Sequence, residues 1–178
     1  MKRLIAFLPL MGLAALAVLF AGWSLGRDPD VKPDVLVGRD IPAVALPGLD
    51  GSPPVSLKTA VQGPTYVNLF ASWCGPCEYE HPLLMQLSRD GARVVGIAYK
   101  DQPAKTQAFL DRLGNPFATV LTDQDGRAGI ELGVTGVPET YLVGGDGVVI
   151  AKHAGPLTPE IVARLEAERR GAQPDQPR

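Results

Sequence analysis

Two cysteines and two histidines are all that 178 residues hold of the sulfur and nitrogen ligands of zinc. A structural zinc site takes four ligands, usually as two pairs. Cys74 and Cys77 would have to recruit both His81 and His153, whose spacing fits no finger pattern, so no metal is implied. Basic charge is scarce too. Without Lys2 and Arg3, 15 Lys and Arg stand against 19 Asp and Glu, a balance of −4. Nucleic-acid binding needs a basic footprint, so that class of partner is excluded. No internal repeat is visible.

Charge is missing altogether from residues 4–25, a run of 22 behind the basic head Met1-Lys2-Arg3. At ~1.5 Å per residue such a run spans roughly 33 Å, enough for a bilayer core. The basic head stays in the cytoplasm and sends the rest of the chain to the far side. A cleaved signal peptide is the alternative, but it needs a shorter apolar core and a small-x-small cleavage site. Phe20-Ala21-Gly22-Trp23-Ser24 is a poor one, so residues 1–25 read as an uncleaved anchor with Trp23 at the interface. Residues 26–38 carry charges and two prolines and read as a linker. Residues 39–170 make one domain, and the Gln/Pro/Asp-rich residues 171–178 read as a disordered tail.

What the chain does have is its two cysteines three residues apart, in Trp73-Cys74-Gly75-Pro76-Cys77. A β-forming run, 65–71, leads in; a helical pattern with Tyr79, Leu83, Leu84 and Leu87 leads out. A strand running into a helix places Cys74 at a helix N-terminus, where free N–H groups and the dipole favour a thiolate. Cys-x-x-Cys in that setting reads as a redox pair. A purely structural disulfide is the weaker reading, because a four-residue loop confines the unfolded chain little.

Residues 41–46 and 55–57 predict short edge strands around an Asp50-Gly51 turn. An apolar run at 93–99 predicts an interior strand, and 103–113 a helix with Asp101 as a possible cap and Gly114 as its stop. A strand at 118–122, a helical turn at 128–132 and a hairpin of 140–143 with 148–151 follow. The last helix opens with Thr158 as N-cap and Pro159 behind it, with Ile161 and Leu165 on one face. Strands alternating with helices predict an α/β sheet layered with helices.

With strand–Trp-Cys-Gly-Pro-Cys–helix, Pro82 inside that helix, and Val137-Pro138 before a hairpin and final helix, the chain resembles the thioredoxin fold. Glu80-His81-Pro82, Gly96-Ile97-Ala98-Tyr99-Lys100-Asp101-Gln102, Leu113-Gly114-Asn115-Pro116-Phe117, Gly133-Val134-Thr135-Gly136-Val137-Pro138-Glu139-Thr140 and His153-Ala154-Gly155 narrow this. They are similar to the membrane-anchored thiol:disulfide interchange proteins of cytochrome c maturation, the DsbE/CcmG group. Gly75-Pro76 is the dipeptide of general thioredoxins instead. The resemblance implies a mixed central sheet flanked by helices, with an N-terminal transmembrane helix and no cofactor. It implies a periplasmic reductant held on the bacterial inner membrane. Its partners would be apocytochrome c, or a thiol-handling maturation partner, and a transmembrane thiol electron donor. A broader thiol:disulfide reductase and a metal-delivery protein are the alternatives.

Cys74 is then the attacking sulfur and Cys77 the resolving one. Resolution requires Cys77 to lose its proton to a base. The strand before the motif offers only Asn68, which cannot serve. Glu78 is expected on the exposed side of the helix and Glu80, three residues after Cys77, on the inward face, so Glu80 is the better candidate for the base, the alternative being a solvated helix carboxylate. Val137-Pro138 matches the cis-proline loop that meets an extended substrate in such proteins. Glu139 would add a second acid beside it, or else be an exposed strand-end residue. Trp73 supplies an apolar wall by the thiols, or packs in the core. His81 and His153 read as structural, and Lys100-Asp101-Gln102 as a loop or binding segment.

Overall fold

The computed structural model of the chain describes residues 8–25 and 35–171. The uncharged run forms helix α1 (Leu8–Leu25). Its 18 residues rise about 27 Å, a little short of the ~30 Å core of a bilayer. Among the described residues no helix is long and apolar enough to cross a membrane. Residues 4–7 of the apolar run, most of the expected linker and the tail from 172 onward lie outside the described residues.

The rest of the chain is built on a five-stranded sheet in the order β5-β4-β3-β6-β7. Its strands are β3 (Thr65–Phe70), β4 (Arg93–Tyr99), β5 (Thr119–Asp123), β6 (Glu139–Val143) and β7 (Val149–Ala154). The pairs β3–β4 and β4–β5 are parallel; β3–β6 and β6–β7 are antiparallel. This is the mixed sheet expected. A separate hairpin, β1 (Ala45–Leu46) with β2 (Val55–Ser56), precedes it. Leu57 was expected to end that second strand; instead it opens a short helix, α2 (Leu57–Ala60), and is fully buried. The two prolines before Val55 keep the strand from starting earlier, and at its other end the Leu57 N–H reaches the Val44 carbonyl at 2.8 Å as the chain turns into the helix. The main helices are α3 (Gly75–Arg89) and α4 (Pro103–Leu113), then the short α5 (Arg127–Glu131) and the closing α6 (Pro159–Gly171).

Both edges of the sheet are covered by the segment before β3. Thr122 donates its N–H to the Pro47 carbonyl and Leu49 donates to Val120 along β5. On the far edge Val37 bridges Val149 and Asp40 bridges Val148. Such cover removes the free ladder groups through which edges aggregate. The domain is thus already docked at Leu36 and Val37, ahead of residue 39.

The alternation of β3 decides what faces the motif. Val67 and Leu69 point to one core with Leu57 and Ala128, while Tyr66 and Phe70 point to another that holds Cys74, Cys77, Leu84, Leu87 and Leu165. Asn68 shares the parity of Tyr66 and Phe70, so it faces α3. Beside it, Gly96 leaves room for Phe117, whose ring lies 2.8 Å from where a Cβ would stand and stacks on Phe70 at 4.8 Å.

Candidate active site

Helix α3 starts at Gly75 with Cys74 as its N-cap in extended backbone, and Pro76 fits the first turn, where no N–H is needed. The Cys77 N–H donates to Cys74 Sγ at 3.2 Å, and the two sulfurs are joined in a disulfide. Both residues are nearly inaccessible, Cys74 at 4% and Cys77 at 2%. In the reduced protein the same N–H groups that cap the helix stabilise a thiolate on Cys74, while Cys77 sits one turn inside. Reduced protein is therefore expected to lose Cys74 to iodoacetamide first, with a thiol pKa below ~8.5. Peptide mapping after brief alkylation checks this, and a faster Cys77 would reverse the assignment.

The approach to Cys74 is held by the turn between β4 and α4. Asp101 was expected to cap α4; the N-cap is Gln102 instead, and the buried Asp101 carboxylate reaches across the turn. It accepts from the Ser72 N–H at 2.7 Å and the Ser72 hydroxyl at 2.9 Å, besides Gln102 N and Thr106 Oγ1. Trp73 donates its indole N–H to the Lys100 carbonyl at 3.3 Å. The ring is 60% exposed, so it stands as a wall at the surface and is not core packing.

Glu80 has no exposure at all. One carboxylate oxygen accepts from Asn68 Nδ2 at 2.8 Å and the other from the Leu157 N–H at 2.8 Å. Burial raises its pKa to about 7, against these two hydrogen bonds. Such a carboxyl is half-ionised at neutral pH, and its position three residues after Cys77 puts it on the same helix face. The alternative of a solvated helix carboxylate does not hold. Glu78 is the exposed one: Arg112 donates to it and holds its carboxyl below the usual range.

Asn68 is what sequence reasoning missed. An amide takes no proton, but it can position the group that does. Asn68 Nδ2 also donates to Thr140 Oγ1, its partner directly across the β3–β6 ladder, at 3.0 Å. Its Oδ1 is buried with no partner. Turned over, the amide offers that oxygen to a protonated Glu80, so one side chain can serve both states of the acid. The parity of β3 was the available signal.

The Val137–Pro138 bond is cis, as the resemblance implied. Val137 packs against the cluster containing Cys74 and Cys77, and the Pro138 carbonyl accepts from Gly155 N at 2.9 Å. Glu139 is neither exposed nor turned to the surface. At 1% exposure it accepts from the Thr135 N–H and hydroxyl, at 2.8 and 2.7 Å, and pairs with Lys152. Against the opposing effect of burial, these partners hold its carboxyl below the usual range. His81 is buried, 2.9 Å from the Gly114 carbonyl and edge-on to Phe109, with its pKa lowered by burial. His153 contacts the Pro156 carbonyl. Both contact backbone carbonyls, His81 across 33 residues and His153 across three.

The family description Redoxin matches residues 36–168. The thiol:disulfide interchange protein DsbE of Escherichia coli strain K12 is 40% identical over 168 residues, 90% of each chain. The thiol:disulfide interchange protein HelX of Rhodobacter capsulatus is 36% identical, covering 92% of this chain and 94% of its own. Among solved structures, a thioredoxin-family thiol:disulfide interchange protein from Chlorobium tepidum is 26% identical with a TM-score of 0.59, covering 75% of this chain and 94% of its own. The chain therefore belongs to the Redoxin family, has DsbE and HelX thiol:disulfide interchange proteins as its relatives, and is a dithiol–disulfide oxidoreductase.

Proposed function

We propose that the chain is a periplasmic reductant of c-type cytochrome biogenesis, held on the outer face of a bacterial inner membrane by residues 1–25. The observation that carries the chemistry is the wholly buried Glu80, poised at about pH 7 on the helix face of Cys77. Cys74 thiolate attacks one sulfur of a substrate disulfide; that bond breaks, and the leaving sulfur takes a proton from solvent. Cys77 gives its proton to Glu80 and attacks Cys74 Sγ; the bond from Cys74 to the substrate breaks, the second substrate sulfur leaves and takes a proton from solvent, and the Cys74–Cys77 disulfide remains. Two electrons must then return from a thiol donor, which in an oxidising compartment means a carrier spanning the membrane.

Apocytochrome c or its thiol-handling maturation partner is the acceptor. Support comes from likeness to DsbE over 90% of the chain and to HelX over 92%. The uncharged α1 behind Lys2 and Arg3 supports the anchor. The alternative of a metal-delivery protein needs a histidine turned to the cysteines, whereas His81 and His153 contact the Gly114 and Pro156 carbonyls.

Cys77→Ser tests the partner. Cys74 still attacks, but nothing internal resolves the mixed disulfide. The variant, isolated from cells, is expected to carry apocytochrome c, its maturation partner or the transmembrane donor, released by dithiothreitol and identified by mass spectrometry. A broad set of unrelated periplasmic proteins would favour a general reductase instead.

A further inference from the structure

The segment between α5 and β6 that carries the cis proline has no ladder of its own. Gly133, Thr135 and Gly136 are exposed, and a stretch of this kind opens easily unless tied down. Besides the Val134 N–H bond to Gly129, the Gly155 N–H bond to Pro138 and the packing of Val134 and Val137, two charged side chains on the sheet tie it down. Glu139 is the first residue of β6, opposite Leu69 of the strand that leads to the motif. One of its oxygens takes both Thr135 donors; the other takes Lys152 Nζ at 3.0 Å and the Tyr141 hydroxyl at 3.1 Å. Lys152 lies on β7 directly across from Tyr141, 5.2 Å from the centre of that ring, with its side chain only 11% exposed. The same ammonium donates to the Gly133 carbonyl at 3.1 Å. One cation therefore grips the beginning of the loop through Gly133 and its end through Glu139.

We propose that Lys152 is a positioning residue that buckles the cis-proline loop shut and so sets how tightly an extended, disulfide-bearing peptide binds beside Cys74. This rests on the reading that the loop offers its backbone to the substrate as a strand would. Lys152 touches neither cysteine, so it acts on binding and not on sulfur chemistry. A lysine here does two things at once that no neutral side chain can. It balances a buried carboxylate, which would otherwise be left uncompensated, and it donates to a carbonyl in the loop.

The test uses the full chain in detergent micelles. Reduced protein is mixed with two oxidants: a synthetic peptide with an internal Cys-x-x-Cys disulfide, and dithiobis(nitrobenzoate), a small disulfide with no peptide backbone. Lys152→Met is expected to raise KM for the peptide about tenfold, the size of one charge-assisted hydrogen bond, with kcat within about twofold. Reaction with the small disulfide and alkylation of Cys74 should stay at wild-type rates. Lys152→Arg, which keeps the charge and the donors, should restore KM. If Lys152→Met is too unstable to purify, Glu139→Gln/Lys152→Met removes the uncompensated charge. Glutamine still accepts from Thr135, but the Gly133 carbonyl stays without its ammonium, so KM for the peptide should remain about tenfold above wild type.

A wild-type KM in Lys152→Met overturns the proposal, as does Lys152→Arg behaving like Lys152→Met. So does a double variant that folds and binds the peptide with the wild-type KM, because the loop would then hold without Lys152. Equal slowing toward both oxidants also overturns it, because the effect would then lie on the thiols. A wild-type chain that reduces the small disulfide but never saturates with peptide removes the loop's role, and the proposal with it, while Cys74 exchange stands.

Discussion

Cys74→Ser is expected to lose thiol–disulfide exchange by at least ~10³-fold while the fold keeps its stability to within about 1 kcal/mol of the reduced wild type. The two halves of this result have separate causes. Exchange needs a thiolate, and a serine hydroxyl is not ionised near neutral pH. Stability is different, because Cys74 is also the N-cap of α3 and receives the Cys77 N–H on its side chain. Serine is among the best residues at that position, so the cap survives or improves. Lost exchange in an insulin- or peptide-disulfide assay, beside an unchanged urea midpoint, identifies Cys74 as the reactive sulfur of an intact fold. Exchange above a tenth of wild type would mean that Cys77 attacks.

Glu80→Gln is the second large effect, a slowing of roughly 10²-fold at neutral pH, as for removal of a general base. The rate of wild type should rise as pH passes through about 7, where Glu80 ionises, and the variant should lose that inflection. The fold tolerates the change. Glutamine Oε1 can keep the Leu157 N–H, and its amide can donate to Asn68 Oδ1 once Asn68 turns over, which gives that buried oxygen a partner. Removing a negative charge from the helix face of Cys77 should also lower at least one cysteine pKa.

Stability carries a matching signature. The folded value of about 7 lies above the unfolded ~4.3, so the folded chain holds this proton more tightly. The stabilisation from the protonated carboxyl is complete below about pH 4 and is lost as pH rises to about 7. Between pH 5 and 8 that amounts to roughly 2–3 kcal/mol, which Glu80→Gln should no longer show. Identical pH slopes in the two proteins, or a kinetic loss in Glu78→Gln alone, would move the base elsewhere.

Local order was well marked in the sequence. Cys-Gly-Pro-Cys between a β-forming run and a helical one places an N-cap, a proline in a tolerated position and two sulfurs a turn apart, all within a few residues. Thr158 likewise caps its helix as expected, accepting from the Ile161 N–H, and Leu165 is buried on the face assigned to it. Glu78 and Glu80 fell on opposite sides of one helix by spacing alone. Where the reading missed, the partners were distant. Asp101 serves Ser72, 29 residues away, and Glu139 finds Lys152 across a β-hairpin.

By itself the sequence determined the reactive pair, the helix that activates it, the mixed sheet and the family. The first two follow from periodicity, capping and motif, which act over one or two turns of chain; the mixed sheet and the family follow from the resemblance that its motifs carry. Only the tertiary structure decided what each acid is for. It put Asn68 against Glu80 by the parity of β3, brought the Leu157 N–H from 77 residues on, and buried the carboxyl until its pKa reached about 7. It also turned Glu139 from a surface acid into half of a buried ion pair. The environment of a charge is set by burial and by donors from several strands, and neither is a property of the residues beside it in sequence.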